Sequence, residues 1–450
     1  MSDRSPHRGP ALGLLAMVVV WTVARLTVGG WLELSEDEAY YWVWSERLAW
    51  GYYDHPPAIA ALIRAGTTIL GDTERGVRLV PIVLGSFAAL LAAAPVSPER
   101  RERTVLALLT LPLFGLGGML ATPDMPLVFC WAVGLVAAMR KHWLAVGLAF
   151  GGAMLSKYTG LLMLPLLVLG QPSVLRTRGP WLAAVVGLLI YAPNALWNFN
   201  HDLVSWRFQL EHVSAAPDRL AFIGGQLALC GALGPVMLAW MAVGWRGSAE
   251  ERLCWWSAVP LLLTALWAGG EANWAAPAYV GMAMGLGTRA GRWDRAIWGA
   301  IGINGLLVIL IITHFVHPLA DLPKDPRDRL TGGKTLGMAV EAHQVPAVYT
   351  SRYQEAALIH FYGGVPAHAL PDLGRADQYD LWPVQLADEA LFVRPWRGSA
   401  PVATDALGYT HGSAAIVQAA MHTTSETGAR DAGRWQIYPL VQVAPDAGFE

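Results

Sequence analysis

Between Trp31 and Pro57 the chain reads WLELSEDEAYYWVWSERLAWGYYDHPP, which sets Glu33, Glu36, Asp37, Glu38, Glu46 and Asp54 among aromatic and proline side chains directly after an apolar segment. Carboxylates at the mouth of a membrane span must be wet, shared or functional: they can take a proton from an acceptor, hold a cation or face lipid headgroups. On a helix starting near Ser35, Asp37 and Tyr41 share a face and Glu38 lies about 100° round from Asp37. Ser35 with Glu38 three residues later also reads as a capping box. A favourable helix start explains one or two of these acids, not the set, nor the YYDHPP that follows. A second feature is Lys157, between two apolar runs. An unpaired charge there costs roughly 2.5 to 3.5 kcal/mol on insertion scales, so a partner is expected unless the side chain snorkels to the interface.

These residues need a frame. The chain has 450 residues, 54% hydrophobic and 15% charged, against roughly 25% charged in soluble domains, and so reads as a polytopic α-helical membrane protein. With about 20 apolar residues per span, eleven helices are expected near 11–30, 76–95, 104–121, 125–140, 143–156, 159–171, 180–194, 220–245, 253–268, 274–289 and 296–316. Basic residues, among them Arg4, Arg8, Arg100, Arg101, Arg103, Arg140 and Lys141, gather in the loops of one side. The positive-inside rule makes that side cytoplasmic and puts the acidic loop outside. An N-terminus inside and an odd number of spans send the C-terminus to the periplasmic face. The first apolar segment lacks a small-residue cleavage site and reads as a retained signal-anchor. Cys130, Cys230 and Cys254 lie in apolar runs and suggest no disulfide framework.

From about Pro318 the composition turns charged and proline-rich (LADLPKDPRDRL), and no later run is apolar enough to span. The expected division is a transmembrane domain over 1–317, carrying a periplasmic loop at 31–75, and a small α/β domain over 318–450. In the latter, VPAVYTS, EALFVRP and WQIYPLVQV read as strands and RYQEAALIHFYGG as a helix ending at Gly363. No glycine-rich nucleotide loop is present, and no nucleic-acid partner is expected.

The stretch SEDEAYYWVWSERLAWGYYDHPP, with TPDMPL at 122–127, SKYTGLLMLP at 156–165, PNALWNFNHDLVSWRFQLEH at 193–212 and RADQYDLW at 375–382, resembles the bacterial glycosyltransferase family 39 proteins, akin to protein O-mannosyltransferases and to the aminoarabinose transferase of lipid A. The resemblance runs through the membrane part and, more weakly, the outer domain. It implies a GT-C fold in the bacterial inner membrane and a polyprenyl-phosphate sugar donor. It also implies transfer to a glycan, lipid or protein acceptor on the outer face, with inversion.

In that chemistry the acceptor hydroxyl gives up its proton to a carboxylate. Asp37 matches the first acid of the family's Asp-Glu pair and is the first candidate base, Glu38 the second; solvated helix-start acids are the plainer reading. The departing lipid phosphate needs a fixed cation or donor, a role the resemblance gives to Lys157 in its K-x-x-G stretch, with the Tyr158 hydroxyl beside it. Asp124 matches a second outer acid and can hold the donor sugar, pair with Lys157, or be an ordinary turn aspartate. Asp54 and His55, made rigid by Pro56 and Pro57, suit a hydrogen bond to substrate or phosphate; no cofactor is expected, and a divalent cation stays open as the alternative. Arg207 is a candidate phosphate or uronate clamp or a surface arginine. Glu271 and Asn273, with Trp274, are candidates to line the sugar site, although an interfacial Trp is ordinary. Arg25 either points at the donor or snorkels. The Gln378, Tyr379, Asp380 and Trp382 pattern has no assigned role beyond packing. The competing class is a transporter or flippase of a lipid-linked sugar, which commonly shows two repeated halves; no duplication is visible.

Overall fold

The computed structural model describes residues 9–214, 218–289, 291–320, 322, 325–371, 373–384, 386–395, 409–411, 415–420 and 431–442. Arg4 and Arg8 lie outside them. By its internal contacts the chain forms two compact units, one of 1–29, 49–69 and 78–312, the other of 30–48, 70–77 and 313–450. This differs from the expected division in one respect that matters for the site. The acidic stretch is split, SEDEAYYWVWSERL going with the C-terminal unit and YYDHPP with the membrane unit.

In the first unit all eleven apolar stretches fall on helices, but they are less uniform than their composition suggests. Five stretches, Leu12–Gly29, Glu74–Ala93, Gly179–Asn200, Arg219–Arg246 and Trp293–Val316, are long and apolar enough to cross a bilayer, and several others are shorter apolar helices. Two of the expected spans are interrupted. The 104–121 stretch breaks after Leu109 into Pro112–Gly115 and a 3-10 turn, because Pro112 has no N–H to continue the ladder. The 220–245 stretch breaks at Gly231, whose φ of 54° ends Arg219–Cys230 before Pro235 opens the next helix. Arg25 settles neither sequence reading. It is buried, and its guanidinium donates to the Phe114 carbonyl (2.8 Å), the Ile82 carbonyl (3.2 Å) and Ser86 Oγ (2.5 Å). It thereby serves the backbone freed near the first break.

Small residues set the tightest helix pair. Trp143–Ser156 and Gly179–Asn200 meet through Gly147, Gly151 and Gly187; a Cβ on Gly147 would stand 2.9 Å from the Ala183 carbonyl, and one on Gly187 would stand 2.4 Å from the Phe150 ring. With no hydrophobic drive between helices in lipid, such close approach is what holds them. Leu188, Leu189, Leu196, Ile303 and Leu306 stay exposed, as lipid-facing side chains would be.

The second unit is the expected α/β domain, enlarged by the first half of the acidic loop. Strands β1 (Val348–Thr350), β2 (Ala367–Ala369), β3 (Glu389–Pro395), β4 (Tyr409–His411), β5 (Ala415–Ala420) and β6 (Asp431–Gln442) form a mixed sheet ordered β2-β1-β3-β6-β4, with β5 also on β6. β1 runs parallel to β2 and β3, and β6 antiparallel to β3. The Tyr353–Gly363 helix makes the parallel crossover from β1 to β2. Tyr349, Leu370, Ala390 and Phe392 form its small core.

Candidate functional site

In the membrane unit, Lys157 is the point where helix Trp143–Ser156 ends. Its extended backbone (φ −155°, ψ 144°) separates that helix from the 3-10 turn Tyr158–Leu162. Gly160 permits the turn: a Cβ there would lie 2.3 Å from the Ala153 carbonyl carbon, so the K-x-x-G spacing is a packing requirement. The ammonium is 7% exposed and has the partner its position demands, since Nζ donates to Asp124 Oδ1 at 2.8 Å. Asp124, 4% exposed at the start of helix Asp124–Met139, accepts from Asn273 Nδ2 through its other oxygen at 2.7 Å. Of the three readings of Asp124, the pair with Lys157 is the one formed, and Asn273 joins it. Glu271, two residues before Asn273, is exposed, and its carbonyl accepts from the Trp274 amide (3.0 Å).

Lys157 lines a cavity of about 630 Å3 whose wall is otherwise largely apolar and aromatic, with Tyr158, Tyr191, Trp206 and Trp274 prominent. That volume lies within the usual range of roughly 300 to 1,000 Å3 for small-molecule sites. Helix Val204–Ser214 contributes Trp206, Gln209, Leu210 and Val213, the i, i+3, i+4, i+7 face of an amphipathic helix. Arg207, one position off that face, is exposed and is not part of the wall; the surface reading fits it. Tyr158 accepts from Asn198 Nδ2 (3.2 Å), and Asn194 donates to the Trp50 carbonyl (2.7 Å). Both asparagines are fully buried, one turn apart in Gly179–Asn200. The YYDHPP segment is tied to the cavity wall through its backbone: Gln209 donates to the Asp54 carbonyl at 2.7 Å and Ser205 to the Tyr52 carbonyl. Asp54 is buried and His55 half-buried. Among the described residues no group of three or more His, Cys, Asp or Glu side chains is placed to hold a metal.

A monocation held by a carboxylate in the wall of a largely apolar cavity suits an amphiphile with an anionic head and a hydrocarbon tail. Tyr191, Trp206 and Gln209 had no role in the sequence reading. The i, i+3, i+4, i+7 pattern in VSWRFQLEHV is the signal that finds two of them.

In the second unit the capping box is formed. The Glu38 amide donates to Ser35 Oγ at 3.3 Å, and Glu38 Oε2 accepts from the Ser35 amide at 3.0 Å and its hydroxyl at 3.1 Å. Glu38 is fully buried, and its carboxylate is engaged in starting helix Glu36–Glu46. Asp37 differs. It is exposed at the surface, yet the protein packed around it pushes its pKa up, against the hydrogen bond from the Tyr353 hydroxyl (3.1 Å) and the charges of Arg375 and Arg329. Tyr353 is itself held in place, tilted by 34° against Tyr40 with ring centroids 4.3 Å apart and lying under the Arg375 guanidinium at 4.6 Å. Tyr353 was not singled out from the sequence, and a partner 316 residues away leaves no local trace.

The family described as dolichyl-phosphate-mannose-protein mannosyltransferase matches residues 54–197, which include Asp54, His55, Asp124, Lys157, Tyr158 and Asn194. A curated relative, lipid A galacturonosyltransferase RgtD of Rhizobium johnstonii, is 29% identical over 344 residues, 69% of this chain and 72% of its own. In fold, the chain is similar to ArnT from Cupriavidus metallidurans, solved in the apo state (TM-score 0.68, 17% identity, 98% of this chain and 100% of that one) and bound to undecaprenyl phosphate (TM-score 0.65, 17% identity, 99% and 100%). The archaeal oligosaccharyltransferase AglB from Archaeoglobus fulgidus is a more distant likeness (TM-score 0.52, 12% identity, 80% of this chain and 64% of that one). The helical bundle with its small α/β unit, the buried Lys157–Asp124 pair in the matched segment and these likenesses are those of a membrane glycosyltransferase with the GT-C fold, similar over residues 54–197 to the protein mannosyltransferases.

Proposed function

We propose that this enzyme moves a sugar from a polyprenyl-phosphate donor to a hydroxyl of a lipid A-type glycolipid on the periplasmic face, with inversion. The observation that carries the donor half is Lys157, a buried cation in the wall of a cavity otherwise suited to hydrocarbon. The acceptor class rests on the relative, which acts on lipid A. In this reading the N-terminus is cytoplasmic and the second unit periplasmic.

The acceptor oxygen attacks the anomeric carbon as the bond from that carbon to the phosphate oxygen breaks. Its proton goes to the Asp37 carboxylate, which the raised pKa makes a better acceptor than an ordinary aspartate. The negative charge that develops on the departing phosphate is met by Lys157, while Asn273 keeps Asp124 hydrogen-bonded. Tyr158 is placed to donate to the same phosphate. Asp54, His55 and Glu271 are reserved for sugar and acceptor hydroxyls. Glu38, committed to its cap, is a structural acid, and Arg207 takes no part.

Purified protein in liposomes, with radiolabelled polyprenyl-phosphate galacturonate and lipid A, tests the proposal. Asp37→Asn should abolish transfer while donor still binds. Lys157→Ala should raise the donor concentration needed and lower the rate. Full turnover by Asp37→Asn would move the base elsewhere.

A further inference from the structure

The second unit contains a cavity of about 200 Å3 that the transfer reaction does not use. Its lining includes Arg47, His360, His368 and Tyr379, with Tyr349, Trp382 and aliphatic and proline side chains completing the wall. It shares no lining residue with the Lys157 cavity, and it contains two members of the Gln378, Tyr379, Asp380 and Trp382 pattern left without a role. The other two have structural tasks. The Gln378 amide donates to the Tyr40 hydroxyl (2.6 Å), and Asp380 accepts from the Asp377 amide (2.6 Å) in a capping box.

Tyr379 is 2% exposed, and its hydroxyl has no hydrogen-bond partner among the described residues. A buried tyrosine hydroxyl ordinarily finds one, and leaving it without costs about 1 to 3 kcal/mol. Burial, then the Asp377 carboxylate, push the Tyr379 pKa up, and the Arg47 guanidinium acts against them. Arg47 lies over the Trp382 ring at 4.7 Å, which holds its planar fork in place. Burial, then Arg47, push both His360 and His368 down to about 4. His360 stays neutral despite standing 3.4 Å from the Glu46 carboxylate, because burial and Arg47 outweigh that attraction. The cavity wall therefore offers one fixed positive fork, an unused hydroxyl, neutral imidazoles that both donate and accept, and aromatic faces. That set suits a ring bearing hydroxyls and one anionic group. A bare inorganic anion would leave most of the space empty, and a drug-sized ligand, which needs roughly 300 Å3 or more, would not fit.

We propose that this cavity is a second binding site, for a single acidic sugar residue, a pyranose bearing a carboxylate or a phosphate. The anionic group lies on Arg47, and ring hydroxyls reach Tyr379, His360 and His368. The residue can arrive as a free monosaccharide or as the exposed sugar of a glycolipid.

Calorimetric titration of the full chain in detergent with glucuronate, glucose 1-phosphate, glucose and inorganic phosphate tests this. A further arm presents a glycolipid ending in a uronic acid. Acidic sugars should bind at least tenfold more tightly than glucose or phosphate. Arg47→Gln should weaken them tenfold or more, and Tyr379→Phe several-fold with no loss of melting temperature, since that hydroxyl has nothing to lose in the empty protein. Lys157→Ala should leave this binding unchanged, which separates it from the donor site. Binding of the glycolipid but not the free sugars assigns the site to the glycolipid, and binding of both assigns it to either source. If Arg47→Gln does not fold, Tyr379→Phe carries the test. Phosphate binding as tightly as the acidic sugars, no binding in any arm, or equal binding by wild type and Tyr379→Phe would each overturn the proposal.

Discussion

Neighbouring acids in the sequence SEDE part company in their surroundings. Glu38 is buried in its cap, whereas Asp37 meets Tyr353 and carries a raised pKa. If Asp37 is the base, kcat/KM must rise with pH as its carboxyl ionises, with the acid limb above the ordinary value of 3.8. The Tyr353 hydroxyl favours the charged form, so Tyr353→Phe should lift the pKa further and move that limb to higher pH. A pH–rate profile in which the limb stays put or moves down would remove Asp37 from this role. Because the folded-state pKa is raised, Asp37 favours the fold below its unfolded pKa, and this contribution disappears as pH rises through the folded one. Lys157 and Asp124 make the other residue-scale prediction. Removing one partner of a buried pair leaves a charge uncompensated and costs about 3 to 5 kcal/mol. Lys157→Met alone should therefore lower the melting temperature more than Lys157→Met with Asp124→Leu. The candidates Asp37, Lys157 and Asp124 were legible because charge in an apolar context is costly and so conspicuous. The cap was legible as well, because Ser35 and Glu38 stand at capping-box spacing; the Tyr353 partner of Asp37, 316 residues away, was not.

Among the elements, the short ones do the positioning. The turn after Lys157 depends on Gly160 lying against the Ala153 backbone. Gly160→Ala must displace one or the other, and a shift of about 1 Å in a reacting group can cost on the order of a hundredfold. Transfer should fall by at least tenfold in Gly160→Ala while the protein still inserts, as measured by the liposome assay; unchanged activity would show that the turn has room to spare. Periodicity located the Tyr353–Gly363 helix and strand Glu389–Pro395 to within a residue or two and found the long helices, although Gly179–Asn200 runs past the expected 194 and Ala249–Ala268 and Arg292–Val316 begin before the expected 253 and 296. It missed the breaks at Pro112 and Gly231, because hydropathy averages over a window and does not register one missing N–H or one left-handed residue. It also passed over helix Val204–Ser214, whose apolar stripe is interspersed with Arg207, Glu211 and His212.

For the molecule as a whole, composition declared a membrane protein, and the expected domain boundary near 318 lies close to the unit boundary at 313. The capture of residues 30–48 by the C-terminal unit was invisible, since pairings such as Tyr40 with Tyr379 span more than half the chain. The proposed orientation makes a direct prediction. Cys130 is half-buried, and Cys230 and Cys254 are buried, so background labelling should be low. A cysteine introduced at exposed Arg375 should react with a membrane-impermeant maleimide in intact spheroplasts, and one at exposed Glu250 only after lysis. The reverse pattern would invert the topology.

The salt bridge at Lys157 bears on what happens between turnovers. A lone ammonium facing acyl chains would draw in water or any stray anion each time the products departed. If Lys157 is the phosphate's partner, Asp124 yields it to the donor and takes it back, so that the pair balances its own charge in the vacant enzyme. The donor's head must then win the ammonium from a resident competitor, which sets a threshold against weakly charged lipids.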